Sequence, residues 1–387
     1  MPTISIPEET IEKMVADGYT RKMIKHYYHY VNAEKSDNFE DGYMEWAHEH
    51  GFIAQHAKAL GVTKENYQEF VSDYDYYKTW PHNTWLRMWI NDKLTLKYLF
   101  QGTPWSDLMP EYYYYTLPCS SGYKLRNLID NPYAETDIKT FIRLLCEKGT
   151  FACKPNNGTE SVGFYRLSYE NGVFHINGES TDEIGIEEFV ALHPNYIFTE
   201  YIVAGGGLEK IHPKIHTFRV TCINEDGVNP KIVGGYIRFP VDGQGETNHQ
   251  SESDLNSFAM YAAVNFDTGE YGDFIAAYPN HCESISVHPN TGCDLMKTYQ
   301  ISNWKEIVEK TLQISKYLFG TELIGFDYGI TDKGLKIMEI NGLPGNRGNQ
   351  LSRDLYDNRG YVEYIRRKVK EIDDMPLEER MKRQYIV

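Results

Sequence analysis

The first hundred residues carry apolar positions at helical spacing. Ile11, Met14 and Val15 recur three and four apart, and Met23, Ile24, Tyr27 and Tyr28 repeat the pattern. Thr63-Lys-Glu-Asn-Tyr67 has the polar opening of a further helix. Near residue 136 the texture changes. Asp137 opens an amphipathic helix through Cys146, and a strand is predicted from Thr150 to Pro155. A polar glycine turn leads to short strands at 164–168 and 173–176, a helix near 184–192 and a strand over 196–203. Strands wrapped round two short helices predict a small α+β lid, and Ala204-Gly-Gly-Gly207 reads as a hinge because glycine restricts φ and ψ little. Two longer strands, 216–224 and 231–239, pair over Asn224-Glu-Asp-Gly227. A strand at 257–266, a helix at 304–318, a hairpin and a closing helix at 361–372 complete the pattern, with a polar loop at 241–256. The fold class is α+β. The regions are 1–125, mainly helical, then a lid subdomain at 126–203 and a core subdomain at 204–387.

The hairpin carries the most pointed chemistry. Its two apolar-rich runs flank Asp332-Lys333-Gly334, a three-residue loop with glycine where a left-handed residue is needed. Pairing Thr331 with Leu335 and counting outward sets Asp327 opposite Glu339, with Asn341 on the same face. Like charges directly opposite in a sheet repel. A divalent cation reverses that balance, and two carboxylates with an amide oxygen suit Mg²⁺, or Mn²⁺, which also takes waters and phosphates.

Composition narrows the rest. A chain of 387 residues can bury about two or three cores, and 41% hydrophobic with 24% charged residues is ordinary for a globular protein. The net charge of −16 argues against nucleic acid and anionic membranes as partners. No apolar stretch approaches the roughly 20 residues that insert across a bilayer, and Met1–Thr10 lacks the segments of a signal peptide, so cytoplasm is the expected location. The six cysteines show no Cys-x-x-Cys and read as free thiols. His48 and His50, two apart on a helix, diverge, which argues against zinc there. The four tyrosines 112–115 read as a strand or turn packing large rings.

Four segments then make sense together: Asn91-Asp92-Lys93, Lys154-Pro-Asn-Asn157-Gly158, Glu200-Tyr201-Ile202 and the hairpin running into Asn341-Gly-Leu-Pro-Gly345. Their order and spacing resemble the ATP-grasp superfamily, whose enzymes join carboxylates to amines through an acyl phosphate. The first two look closest to D-alanine–D-alanine ligase-like members. Ser286-Val-His-Pro-Asn-Thr-Gly292, Ile301-Ser-Asn-Trp304, Ile324-Gly-Phe-Asp327 and Ile337-Met-Glu-Ile-Asn341 are similar to the sugar-transfer-associated ATP-grasp family, found with genes for surface polysaccharides. The match spans roughly residues 90–350.

That resemblance implies an ATP-grasp fold, two α+β subdomains gripping ATP, and roles for particular residues. Lys93 and Lys154 would meet the nucleotide phosphates, with Asn157, Gly158 and Ser161 in the turn that lets backbone N–H groups approach them. Glu200, Tyr201 and Ile202 would hold adenine, and Glu209 the ribose. Asp327, Glu339 and Asn341 would hold the metal. Arg219 and Arg238 would serve the γ-phosphate or an acceptor carboxylate, a bidentate task suited to guanidinium. Asn346 and Arg347 would meet the acidic end of the substrate. Two departures from the family stand out: Thr247-Asn248 where Asp-Asn is usual, and His216 where asparagine is common. The implied activity is ATP-dependent carboxylate–amine ligation with small-molecule substrates, sugar-linked in this family, by a chain that relatives suggest is a homodimer. A small-molecule kinase and a non-catalytic nucleotide-binding scaffold are the alternatives.

Overall fold

Helices fill the chain up to residue 100, in a computed structural model that describes residues 6–129, 135–158, 162–242, 256–279, 281–351 and 359–387. They are α1 (Glu8–Ala16), α2 (Arg21–Val31), α3 (Tyr43–Glu49), α4 (Ala54–Ala59), α5 (Asp73–Lys78), α6 (Leu86–Asn91) and α7 (Lys93–Phe100). Polar caps start several of them: Thr20 Oγ1 accepts the Met23 N–H at 3.2 Å, and Ser72 Oγ accepts that of Asp75 at 3.0 Å. The helix expected from Thr63 does not form. Asn66 Oδ1 takes the Thr63 N–H at 2.7 Å, and only a 3₁₀ turn follows, Tyr67–Glu69. His48, His50 and His56 hydrogen-bond separately to Glu34, the Trp46 carbonyl and Asp73.

The lid holds β1 (Tyr112–Cys119), β2 (Gly122–Asn127), α8 (Ile138–Lys148), β3 (Thr150–Pro155), β4 (Tyr165–Glu170), β5 (Val173–Ile176), β6 (Glu179–Thr181), α9 (Glu183–Leu192) and β7 (Tyr196–Glu200). Among the described residues its strands form one antiparallel sheet in the order β2-β1-β7-β3-β4-β5-β6. Phe141, Leu145, Ile186, Phe189 and Val190 of the two helices pack on Tyr113, Phe151, Cys153 and Phe198 of one face. The sheet thus begins at Tyr112, and position 126 falls inside β2. Tyr112–Tyr114 form strand, their rings buried.

The second unit holds β8 (Thr217–Ile223), β9 (Lys231–Phe239), β10 (Ala259–Val264), β11 (Glu270–Ala277), β12 (Cys282–Ser284), β13 (Tyr299–Gln300), α10 (Trp304–Tyr317), β14 (Leu323–Thr331), β15 (Gly334–Asn341), α11 (Tyr361–Asp373) and α12 (Leu377–Lys382). The strand order is β12-β11-β10-β9-β8-β14-β15, with β13 on β11. Phe218, Val220, Ile237, Phe326, Tyr328, Ile337 and Ile340 bury one face, so strand alternation leaves Arg219, Arg238, Asp327 and Glu339 on the other. A separate core joins Met14, Ile24, Tyr76 and Trp80 of the N-terminal helices to Ile223, Val233 and Leu323 and to Tyr364 and Ile365 of α11. No described helix is long and apolar enough to cross a membrane.

Thr331 pairs with Gly334, not Leu335, so the turn has two residues, Asp332 and Lys333, and Gly334 takes φ 105°. A bulge between Asp327 and Tyr328 then shifts the register by one and sets Asp327 opposite Glu339 after all. Gly205 and Gly206 lie against this turn. Gly205 N–H donates to the Ile330 carbonyl at 3.0 Å, and Gly206 N–H to Asp332 Oδ1 at 3.1 Å.

Candidate functional site

Three neighbouring strands place Arg219, Asp327 and Glu339 in one row, with Arg219 and Glu339 on either side of Asp327. Arg219 grips the carboxylate with Nε on Oδ1 and Nη2 on Oδ2, the latter at 2.9 Å. Asn341 Nδ2 donates to the same Oδ2 at 3.0 Å, which leaves the Asn341 carbonyl oxygen for another partner. Gly325 makes room for the pair, since a Cβ there would meet Arg219 Cδ at 3.3 Å and Pro344 Cβ at 2.7 Å. Lys93 Nζ stands 3.5 Å from Glu339 Oε1 and donates to the Gly158 carbonyl at 2.9 Å. One ammonium therefore spans the acidic hairpin and the glycine turn of the lid.

These charges set each other's states. Burial alone would lower the Arg219 pKa, but Asp327 overrides it and holds the guanidinium charged. Lys154 goes the other way: burial and the nearby Lys93 push it down to about 8, with Glu339 opposing. Arg238 lies one strand further, on β9 opposite Thr217, and among the described residues its Nε is buried without a partner. His216 is fully buried against Phe239, among the described residues both ring nitrogens have no partner, and burial with His212 and His288 nearby lowers its pKa to about 3.

None of Arg219, Asp327, Glu339 and Lys93 borders the cleft lined by the expected adenine residues Glu200 and Tyr201. Glu200 and Tyr201 border a cleft of about 340 Å³ with Glu111, Tyr113, Lys148, Val203 and Lys333. Glu200 Oε2 accepts the Glu111 N–H at 3.2 Å and lies 3.6 Å from Lys336 Nζ. The Tyr201 ring faces the Arg166 guanidinium, and Ile202 is half-buried. Glu209 is exposed and accepts the Gly207 N–H at 2.7 Å, a local turn contact. Asn157 turns its amide to Asp92 at 2.7 Å. Ser161, Thr247 and Asn248 lie outside the described residues. Asn346 is not presented to a ligand: it is buried, with its amide on the Val71 carbonyl and its oxygen taken by Tyr361 and Gln350. Asp92 went unassigned in the sequence, although an aspartate directly before an apolar-periodic run is a cap signal.

The donor set fits a hard divalent cation. Among the described residues no three His, Cys, Asp or Glu side chains gather to hold a metal. Two opposed carboxylates and an amide oxygen do gather, an incomplete all-oxygen shell of the kind Mg²⁺ completes with water and phosphate. Arg219 and Lys93 offset the repulsion between Asp327 and Glu339 meanwhile.

Two α+β units, with Lys154 of the lid and Lys93 at the head of α7 beside an acidic hairpin on the core sheet, define the ATP-grasp fold. Residues 124–356 match the family described as sugar-transfer associated ATP-grasp, and the chain belongs to that family. No curated protein matches it. Among solved structures it is similar to D-alanyl-alanine synthetase A from Vibrio cholerae O1 biovar eltor, at 14% identity and a TM-score of 0.40 over 73% of this chain and 65% of that one. It is also similar to D-alanine–D-alanine ligase from Bacillus anthracis, at 13% identity and a TM-score of 0.37 over 77% of this chain and 72% of that one. An L-amino acid ligase from Bacillus licheniformis is similar at 10% identity and a TM-score of 0.34, over 67% and 42%. The chain thus spans just under two thirds of the synthetase.

Proposed function

We propose that the chain is an ATP-dependent carboxylate–amine ligase working through an acyl phosphate, in the making of surface polysaccharide or related small molecules. The observation that carries this reading is the meeting of Asp327, Glu339 and Asn341 with Lys93 where the hairpin faces the Lys154 turn. Asp327, Glu339 and Asn341 would hold Mg²⁺, which would supply positive charge to neutralise phosphate oxygens there. Lys93 and Lys154 take the remaining phosphate oxygens. Arg238, whose Nε has no described protein partner, receives the acidic group of a substrate, while Arg219 stays with Asp327. The residues bring a carboxylate in line with the γ-phosphorus, so that ADP leaves and an acyl phosphate forms. An amine then displaces phosphate, giving amide and Pi. Positioning and charge stabilisation supply most of the rate, and closure of the lid about residues 204–207 excludes water. The family's description supports sugar-linked substrates, and an ATP-dependent reaction of this kind belongs in the cytoplasm.

The test is ADP release with a panel of acids and amines, uronic acids and amino sugars included, using acids labelled with ¹⁸O in the carboxylate. Transfer of one ¹⁸O into Pi supports the acyl phosphate. A terminal phosphate retained on the product would make the chain a kinase, and absence of ADP release across the panel with tight nucleotide binding would make it a scaffold.

A further inference from the structure

Asp92 ties together two parts of the molecule that are 64 residues apart in sequence. Its Oδ1 accepts the Thr95 N–H at 2.7 Å and so caps α7. Its Oδ2 accepts from Asn156 Nδ2 at 2.6 Å and from Asn157 Nδ2 at 2.7 Å. Both are hydrogen bonds to an ionised acceptor, the stronger kind. The backbone continues the contact: Lys93 N–H donates to the Asn156 carbonyl at 3.2 Å, and Leu94 N–H to Asn156 Oδ1 at 2.8 Å. Asn156 is buried, 4% exposed, and each of its side-chain atoms is engaged. On the other side of Asp92, Asn91 Oδ1 accepts the Gly342 N–H at 2.9 Å, one residue past Asn341. Consecutive residues 91, 92 and 93 therefore hold the end of the acidic hairpin, the turn of the lid, and the ammonium that touches both.

We propose that Asp92 is a positioning residue: it clamps the turn at 155–158 to the head of α7 and thereby sets Lys154 and the turn's backbone where the nucleotide phosphates bind. This rests on the ATP-site reading above. The carboxylate needs no contact with ATP to act. It fixes the angle at which the lid turn meets Lys93, so that the phosphates find two lysines already in register.

Asp92→Asn separates the two jobs of the side chain. Asparagine caps a helix as well as aspartate does, so α7 keeps its Thr95 bond. The second carboxylate oxygen becomes an NH₂ facing two other NH₂ groups, and the clamp is lost. Amide hydrogen exchange of the full-length chain without nucleotide, followed over residues 150–158 and 93–100, reads the clamp directly. The expected result is exchange about tenfold faster at 153–158 with α7 unchanged, and an ATP KM raised about tenfold with kcat little altered. Asn157→Ala, which removes one donor to Asp92 together with the Asn195 contact on Asn157 Oδ1, should loosen the turn to a smaller degree and serves for the exchange readout alone if Asp92→Asn does not fold. Exchange at the turn equal to wild type in both variants overturns the clamp. A loosened turn with unchanged ATP KM overturns the positioning role. A loosened turn in a chain whose wild type binds no MgATP upholds the clamp and overturns the nucleotide reading instead.

Discussion

Arg219 and Asp327 face each other across β8 and β14, and both guanidinium contacts land on separate oxygens of the one carboxylate. Their side chains are 15% and 11% exposed, so the pair is largely desolvated. Removing one partner leaves the other as a buried charge without compensation, which costs about 3–5 kcal/mol. Arg219→Ala should therefore lower unfolding stability by about that amount in a urea titration. Arg219→Lys, which keeps the charge but loses the fork, should lose less. A stability loss of the same size in both variants would mean that geometry, not charge, holds Asp327 in place.

Glu339 plays a different part. It is 28% exposed and meets Lys93 only at 3.5 Å, so its contribution to stability is small. Glu339→Gln should leave the unfolding midpoint within about 1 kcal/mol of wild type while lowering ADP release by roughly 10²-fold or more. The same variant should bind ATP with little dependence on Mg²⁺ in a calorimetric titration. Near-normal ADP release would remove Glu339 from the metal set.

How far the sequence reached can be judged from this hairpin. The two-residue period alone does not set Asp327 against Glu339, because the expected turn is one residue too long. A bulge near Met338 compensated, and nothing local in Ile337-Met338-Glu339 announces it. Strand β11 was missed because Gly272 and Asp273, the latter at φ 47°, break its alternation. The membership of β1 in the lid sheet depends on β7, more than 80 residues away, and four adjacent tyrosines carry no sign of which partner they take. Local signals worked where they were dense: Asp137 did cap α8, with its carboxylate on the Thr140 N–H at 2.7 Å. The clamp at Asp92 was out of reach for the same reason as β1, since hydrogen bonds between distant segments leave no period behind.

The linker at residues 204–207 makes its own prediction. A Cβ on Gly205 would lie 2.1 Å from the Asp332 nitrogen and 2.6 Å from the Thr331 carbonyl carbon, both backbone atoms that cannot swing aside. Gly205→Ala should force the linker off the hairpin turn and cost about 1–3 kcal/mol. Gly345 has open space around its hydrogen and an ordinary φ, so Gly345→Ala is the control for stability and should change it little. Differential scanning calorimetry of the two variants decides the matter. Equal midpoints would show that the contact between linker and turn gives way without loss.

Lys154 turns the electrostatics of the cleft into a pH dependence. Burial, with Lys93 pressing the same way, lowers it to about 8, whereas an unperturbed lysine in the unfolded chain titrates near 10.4. Between those values the unfolded state binds the extra proton, so this group adds stability as pH rises through the window and subtracts it below about 8. Phosphate binding has the opposite sign, because it requires the ammonium. Below pH about 8 Lys154 is already charged and ATP binds without proton uptake. Above it each binding event must draw a proton from solution, and the ATP KM should climb toward tenfold per pH unit. Lys154→Arg stays charged throughout, so its ATP KM should be flat from about pH 7 to 9 even if its absolute value is higher. Calorimetry of ATP binding at pH 8.5 in buffers of different ionisation enthalpy measures the proton uptake itself, which should be present in wild type and absent in the arginine variant. A flat wild-type profile would place the Lys154 ammonium away from the phosphates.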